Sequence, residues 1–146
     1  MQNAEGDASV SGRRPIGVWV ISIYTVFGAA WILLGTALVY RGVVPLSDPM
    51  RAYVASQNAL DVGLMLVSVG LNVTGGILLF LLRRQAFGFM LGAFILGLAQ
   101  VPYHIVHKHW LEAMGPGALV SAVLGEGVVV TVLLYVHWLR RHGVLR

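Results

Sequence analysis

The sequence predicts an all-α integral membrane protein, a four-helix transmembrane bundle with both termini in the cytoplasm. Three observations predict it. Of the 146 residues, 58% are hydrophobic and only 11% are charged, whereas a soluble domain carries about 25% charged residues. A water-soluble core of this size cannot hide that apolar surplus, and the mean hydropathy of +0.80 makes lipid the solvent that removes the conflict. The apolar residues also fall into four runs, each near the roughly 20 residues that a membrane span requires. Finally, the ten Lys and Arg residues gather at the ends of these runs, as membrane topology demands.

Residues 1–14, "MQNAEGDASVSGRR", are small, polar and without apolar periodicity, and are expected to form a disordered cytoplasmic tail. Residues 15–142 read as one four-span domain. The first span covers about 16–40 and is opened by Pro15, which suits the start of a helix. The others cover about 60–82, 86–106 and 118–139, and residues 143–146 form a cytoplasmic end. Within hydrocarbon the backbone must satisfy its own hydrogen bonds, so runs of this length are helices. In the first loop, Ser47 or Asp48 can cap a helix carrying Pro49 in its first turn, so the second span is expected to begin outside the bilayer.

Arg13, Arg14, Arg83, Arg84, Arg140, Arg141 and Arg146 fall on one side of this topology, and only Arg41, Arg51 and Lys108 on the other. The positive-inside rule therefore sets both termini in the cytoplasm. Trp19, Tyr135 and Trp138 mark the inner interface, and Tyr40, Tyr103 and Trp110 the outer one. The same rule accounts for the net charge of +4, so no nucleic-acid partner is expected. With no cysteine in the chain, disulfides, thiolate metal sites and thiol redox chemistry are excluded. The "NVT" at 72–74 matches a glycosylation sequon but lies mid-span, beyond the reach of a glycosylating enzyme.

Helices in lipid associate through small residues. Gly88 and Gly92 in "GFMLG" offer a face for the protein's own bundle, for a homo-oligomer or for another membrane protein. Inside the bilayer the informative residue is Glu126, in "VLGEGVVV". At about 1.5 Å per residue it stands some 21 Å from Arg140, well within the hydrocarbon. A carboxyl there must be paired, hydrogen-bonded or protonated, and Glu126 is expected to face the bundle interior. Counting in the same way puts Asn72 about 16 Å and Gln100 about 24 Å from the inner arginines, with Thr25 near the Asn72 level. These four residues, one per span, are expected to form an intramembrane polar cluster, either a proton-handling or ligand site or a clasp that fixes helix register.

The stretch "VPYHIVHKHW" places His104, His107 and His109 at the outer end of the third span. His104 and His107 share a helical face, a usable spacing for two metal ligands. Further ligands would have to come from Asp61, Glu112 or Glu126. Haem needs histidines on facing helices at one depth, and His137 and His142 lie at the opposite end. The simplest expectation is that these histidines face headgroups and water. No catalytic residue is assigned and no cofactor is predicted, with a metal or a quinone as the alternatives.

The opening "RRPIGVWVISIYTVFGAAWILLG" resembles small four-span bacterial inner-membrane proteins of unassigned function, which share an Arg-Pro-x-Gly-Val start. In size and helix count the chain is more loosely similar to the DoxX-like family. The resemblance implies a four-helix fold in a bacterial inner membrane and carries no functional residue. Three functions remain open: a non-enzymatic scaffold, accessory subunit or small-molecule-binding bundle; a redox, quinone- or metal-linked enzyme component built around Glu126; and a proton-coupled transporter or oligomeric channel.

Overall fold

A computed structural model describes residues 14–108, 110–115 and 117–146. Most of the predicted tail, and His109, lie outside the described residues. The order of elements is α1 (Ile16–Tyr40), α2 (Asp48–Ser56), α3 (Ala59–Phe80), α4 (Ala86–His107), α5 (Trp110–Met114) and α6 (Gly117–Arg141). The chain is helical throughout, with no strand among the described residues. Four helices, α1, α3, α4 and α6, are long and apolar enough to cross a membrane.

Three of the long helices, α1, α3 and α6, end where the backbone turns left-handed. Gly42, at φ +69°, follows α1, and its N–H bonds the Val39 carbonyl while that of Val43 bonds Leu38. This is the Schellman pattern, which satisfies carbonyls the helix leaves unpaired. Gly143, also at φ +69°, ends α6 in the same way. At the end of α3 the same turn falls on Leu82, at φ +56°, and closes through Leu82 N–H to Leu79 and Arg83 N–H to Leu78. A leucine in this conformation costs about 1–2 kcal/mol. Its side chain packs against the buried core, which offsets that cost. The span predicted to run to residue 82 therefore stops at Phe80.

α3 lies between α1 and α4, and α6 rests on α4. Close approaches are made by Gly17, where a Cβ would strike Tyr135 of α6, and by two glycines of α3. A Cβ on Gly75 would strike Met90 of α4, and one on Gly76 would strike Thr25 of α1. Across the Gly76 contact, Ser22 Oγ donates to the Gly76 carbonyl at 3.0 Å. The tight core sits at the arginine-rich end, where Val18, Leu79, Met90, Val136 and Leu139 are buried together. Elsewhere the helices present apolar side chains outward, among them Phe27, Trp31, Val123 and Leu134. That surface suits a bilayer, and the protein reads as multi-pass.

The end of the chain completes this core. Arg146 N–H donates to the Leu82 carbonyl at 2.7 Å, and Arg84 N–H returns a bond to the Arg146 carbonyl at 3.0 Å. Arg84 Nε adds a bond to the Leu145 carbonyl at 3.2 Å. These bonds hold Leu145 fully buried among the helices. Leu145→Ala is expected to lower stability by about 2–5 kcal/mol, the range for emptying a core leucine site. Thermal unfolding in mild detergent reads the effect, and an unchanged midpoint would place Leu145 outside the core.

Candidate functional site: a polar cap on the bundle

At the end of the bundle opposite the arginine cluster, the two short helices α2 and α5 pack on each other. Here the chain builds its buried charged group. Ser47 takes the N-cap position of α2, without a side-chain cap bond, and Pro49 lies in its first turn, but the helix does not continue into the second span. Gln57 and Asn58 adopt extended backbone, and Asn58 begins a new helix, α3. Asn58 Oδ1 accepts the Asp61 N–H at 3.0 Å, and Asp61 Oδ2 accepts the Asn58 N–H at 2.9 Å. This reciprocal capping box satisfies two backbone donors and holds the Asp61 carboxylate at the positive end of the helix dipole.

Asp61 Oδ2 also meets Lys108 Nζ at 3.0 Å, and both side chains are nearly excluded from solvent, at 1% and 10% exposure. Lys108 follows the last residue of α4, a favourable place for a cation. Its ammonium donates a second bond to the Ser56 carbonyl, at 2.6 Å, where α2 ends. One buried ion pair thus ties together α2, α3 and α4. Asp61 Oδ1 is buried with no hydrogen-bond partner among the described residues. The remaining negative charge therefore leans on Lys108, which makes the pair strongly interdependent.

His104 stands one turn before Lys108. Its Nδ1 lies 3.4 Å from the Tyr53 hydroxyl, a long contact, and the rings of Tyr53 and Tyr103 meet it edge-on. Burial pushes the Tyr53 phenol above its ordinary pKa, so it stays protonated and able to donate. His107 leans on Tyr103, with ring centroids 5.3 Å apart. A cavity of about 260 Å³ lies beside the ion pair, lined by Tyr53, Ser56, His107, Lys108 and Glu112 among others. Of the proposed metal ligands, Asp61 is engaged by Lys108, His104 faces Tyr53 and His107 faces Tyr103. No group of three His, Asp or Glu among the described residues converges on one point. His137 and His142 sit against Phe87 and Trp138 at the other end of the bundle.

The mid-membrane residues divide between two helix pairs. Thr25 bonds the Ile21 and Ser22 carbonyls of its own helix, each at 3.0 Å. Asn72 Nδ2 bonds Ser68, one turn earlier, at 3.1 Å. Both residues line a cavity of about 190 Å³ between α1 and α3. Glu126 instead turns to α4, with its Oε1 3.6 Å from where a Gly97 Cβ would stand. Gln100 is one turn further along α4 and, like Glu126, half-buried. Glu126 has no hydrogen-bond or ionic partner among the described residues. Glu126→Gln is expected to leave the unfolding midpoint within the error of a surface substitution, about 0.5 kcal/mol. A loss of 2 kcal/mol or more would show a clasp.

The Gly88/Gly92 pair also divides: Gly88 is open on its outer side, while a Cβ on Gly92 would reach Leu71 of α3. Sequence reasoning assigned neither Lys108 nor Tyr53 to a site. The signal for Lys108 was present, since Asp61 and Lys108 are lone opposite charges at matching ends of adjacent spans. "NALD" at 58–61 likewise carries the spacing of a capping box. Compared with known proteins, the chain matches no family model, no curated protein and no solved structure.

Proposed function

We propose that this protein is a non-enzymatic membrane scaffold or accessory subunit that presents apolar helix faces to the bilayer and to a partner. The observation that carries this reading is the Asp61–Lys108 pair, whose hydrogen bonds join α2, α3 and α4 of the chain itself. The charged chemistry of the cap is engaged in holding its architecture. The arginine-rich end faces the cytoplasm under the positive-inside rule, with the cap on the far side of a bacterial inner membrane. Gly88, open along the outer face of α4, is the point at which a second helix can approach closely.

Photo-crosslinkers at Val123 and Leu134 of α6, both exposed, and beside Gly88 test this reading, together with metal analysis and an absorption spectrum of the purified protein. The expected result is crosslinking to one protein species, with neither stoichiometric metal nor a visible chromophore. Lipid adducts alone, accompanied by a bound metal or quinone, would overturn it in favour of a redox component.

A further inference from the structure

A groove runs along the outside of the α1–α3 contact, away from the cap. Its floor is made by Ser22 and Gly76, whose hydrogen bond draws the helices together, and its volume is about 470 Å³. That falls within the usual range of small-ligand sites, roughly 300–1,000 Å³. Trp19, Phe27, Ile77 and Phe80 are among its walls, with Trp19 meeting Phe80 edge-on at 4.7 Å. From Trp19 to Ala30 the groove follows α1 for about 16 Å, close to the thickness of one hydrocarbon leaflet, about 15 Å.

At its arginine-rich end the groove meets a cation. The Arg14 guanidinium lies over the Phe80 ring, 4.1 Å from the centroid. Stacking uses the face of the guanidinium and leaves its edge donors free for a bidentate oxyanion. Among the described residues no carboxylate or carbonyl engages them. The acidic side chains are also segregated: Asp48, Asp61 and Glu112 belong to the cap, Glu126 is mid-span, and Glu5 and Asp7 precede Arg14 in the chain. Among the described residues, the end that carries Arg14, Arg83, Arg84, Arg140, Arg141 and Arg146 thus has no acidic side chain of its own.

We infer that this groove binds an anionic phospholipid, with one acyl chain lying between α1 and α3 and the phosphate against Arg14. A basic side chain at the headgroup level gives anionic lipid about a fivefold advantage. The apolar groove supplies affinity for the chain and Arg14 supplies the preference for charge.

Native mass spectrometry of the delipidated full-length protein, titrated with phosphatidylglycerol or with phosphatidylcholine of the same chains, tests this. Phosphatidylglycerol is expected to bind about fivefold more tightly. Arg14→Gln should remove that preference, and Arg14→Lys should keep most of it. Ala30→Trp, which fills the far end of the groove, should weaken both lipids, and thermal unfolding checks that each variant is folded. Equal binding of the two lipids, or a preference that survives Arg14→Gln, would overturn the inference. So would a preference that emerges only after residues 2–13 are deleted, since Arg14 would then belong to Glu5 or Asp7. Loss of a dimer on filling the groove, with lipid binding unchanged, would assign the groove to a second copy of the chain.

Discussion

Gly76→Leu is expected to abolish the folded bundle, and Gly76→Ala to lower its stability by about 1–3 kcal/mol. On an exposed helix the alanine change would instead stabilise, because glycine is the poorer helix former by about 1 kcal/mol. The sign is reversed here because a Cβ at this position meets Thr25, whose hydroxyl is held by the Ile21 and Ser22 carbonyls. A β-branched side chain has little rotamer freedom with which to move aside. The same contact carries the Ser22–Gly76 hydrogen bond and joins α1 to the rest of the bundle. Combining Gly76→Ala with Thr25→Gly should recover much of the loss. Unfolding in mixed detergent measures all three variants, and a stabilising Gly76→Ala would show that the helices do not meet there.

Lys108→Met is the second substitution with a large expected effect. It leaves the Asp61 carboxylate buried without its cation, a change that typically costs about 3–5 kcal/mol. The damage should be local before it is global. The ammonium is also what binds the end of α2 through Ser56, so α2 and α5 should open before the core around Leu79 and Leu139 does. Hydrogen exchange separates the two outcomes, because amides of α2 should lose protection while those near the arginine-rich core keep it. Uniform loss, or none, would show that the cap is not held by Lys108.

The spans were legible because hydrocarbon thickness imposes a minimum length on an apolar helix, and α1, α3, α4 and α6 all begin and end within two residues of expectation. Depth was legible for the same reason. Gly97 stands about 20 Å above Arg84 by residue rise and Glu126 about 21 Å from Arg140, and the two are neighbours across α4 and α6. Which side of a helix a residue faces was not legible from depth. Thr25 and Asn72, also within the hydrocarbon by that count, therefore line a different helix pair. Local backbone chemistry hid the break between α2 and α3, since Asn58 restarts a helix that its neighbours would have continued. Leu145 was hidden more deeply, because its burial depends on hydrogen bonds to a turn some 60 residues earlier in the chain.

The ion pair that locks the cap is the central element of this architecture. A double-mutant cycle with Asp61→Asn, Lys108→Met and the combination, followed by thermal unfolding of the full-length protein in nanodiscs, tests it directly. For a desolvated pair, each single variant should cost several kcal/mol and the double variant little more than the worse single. That corresponds to a coupling energy of about 2–3 kcal/mol. Additive losses, with a coupling below about 0.5 kcal/mol as for exposed pairs, would contradict the claim that Asp61 and Lys108 hold the cap.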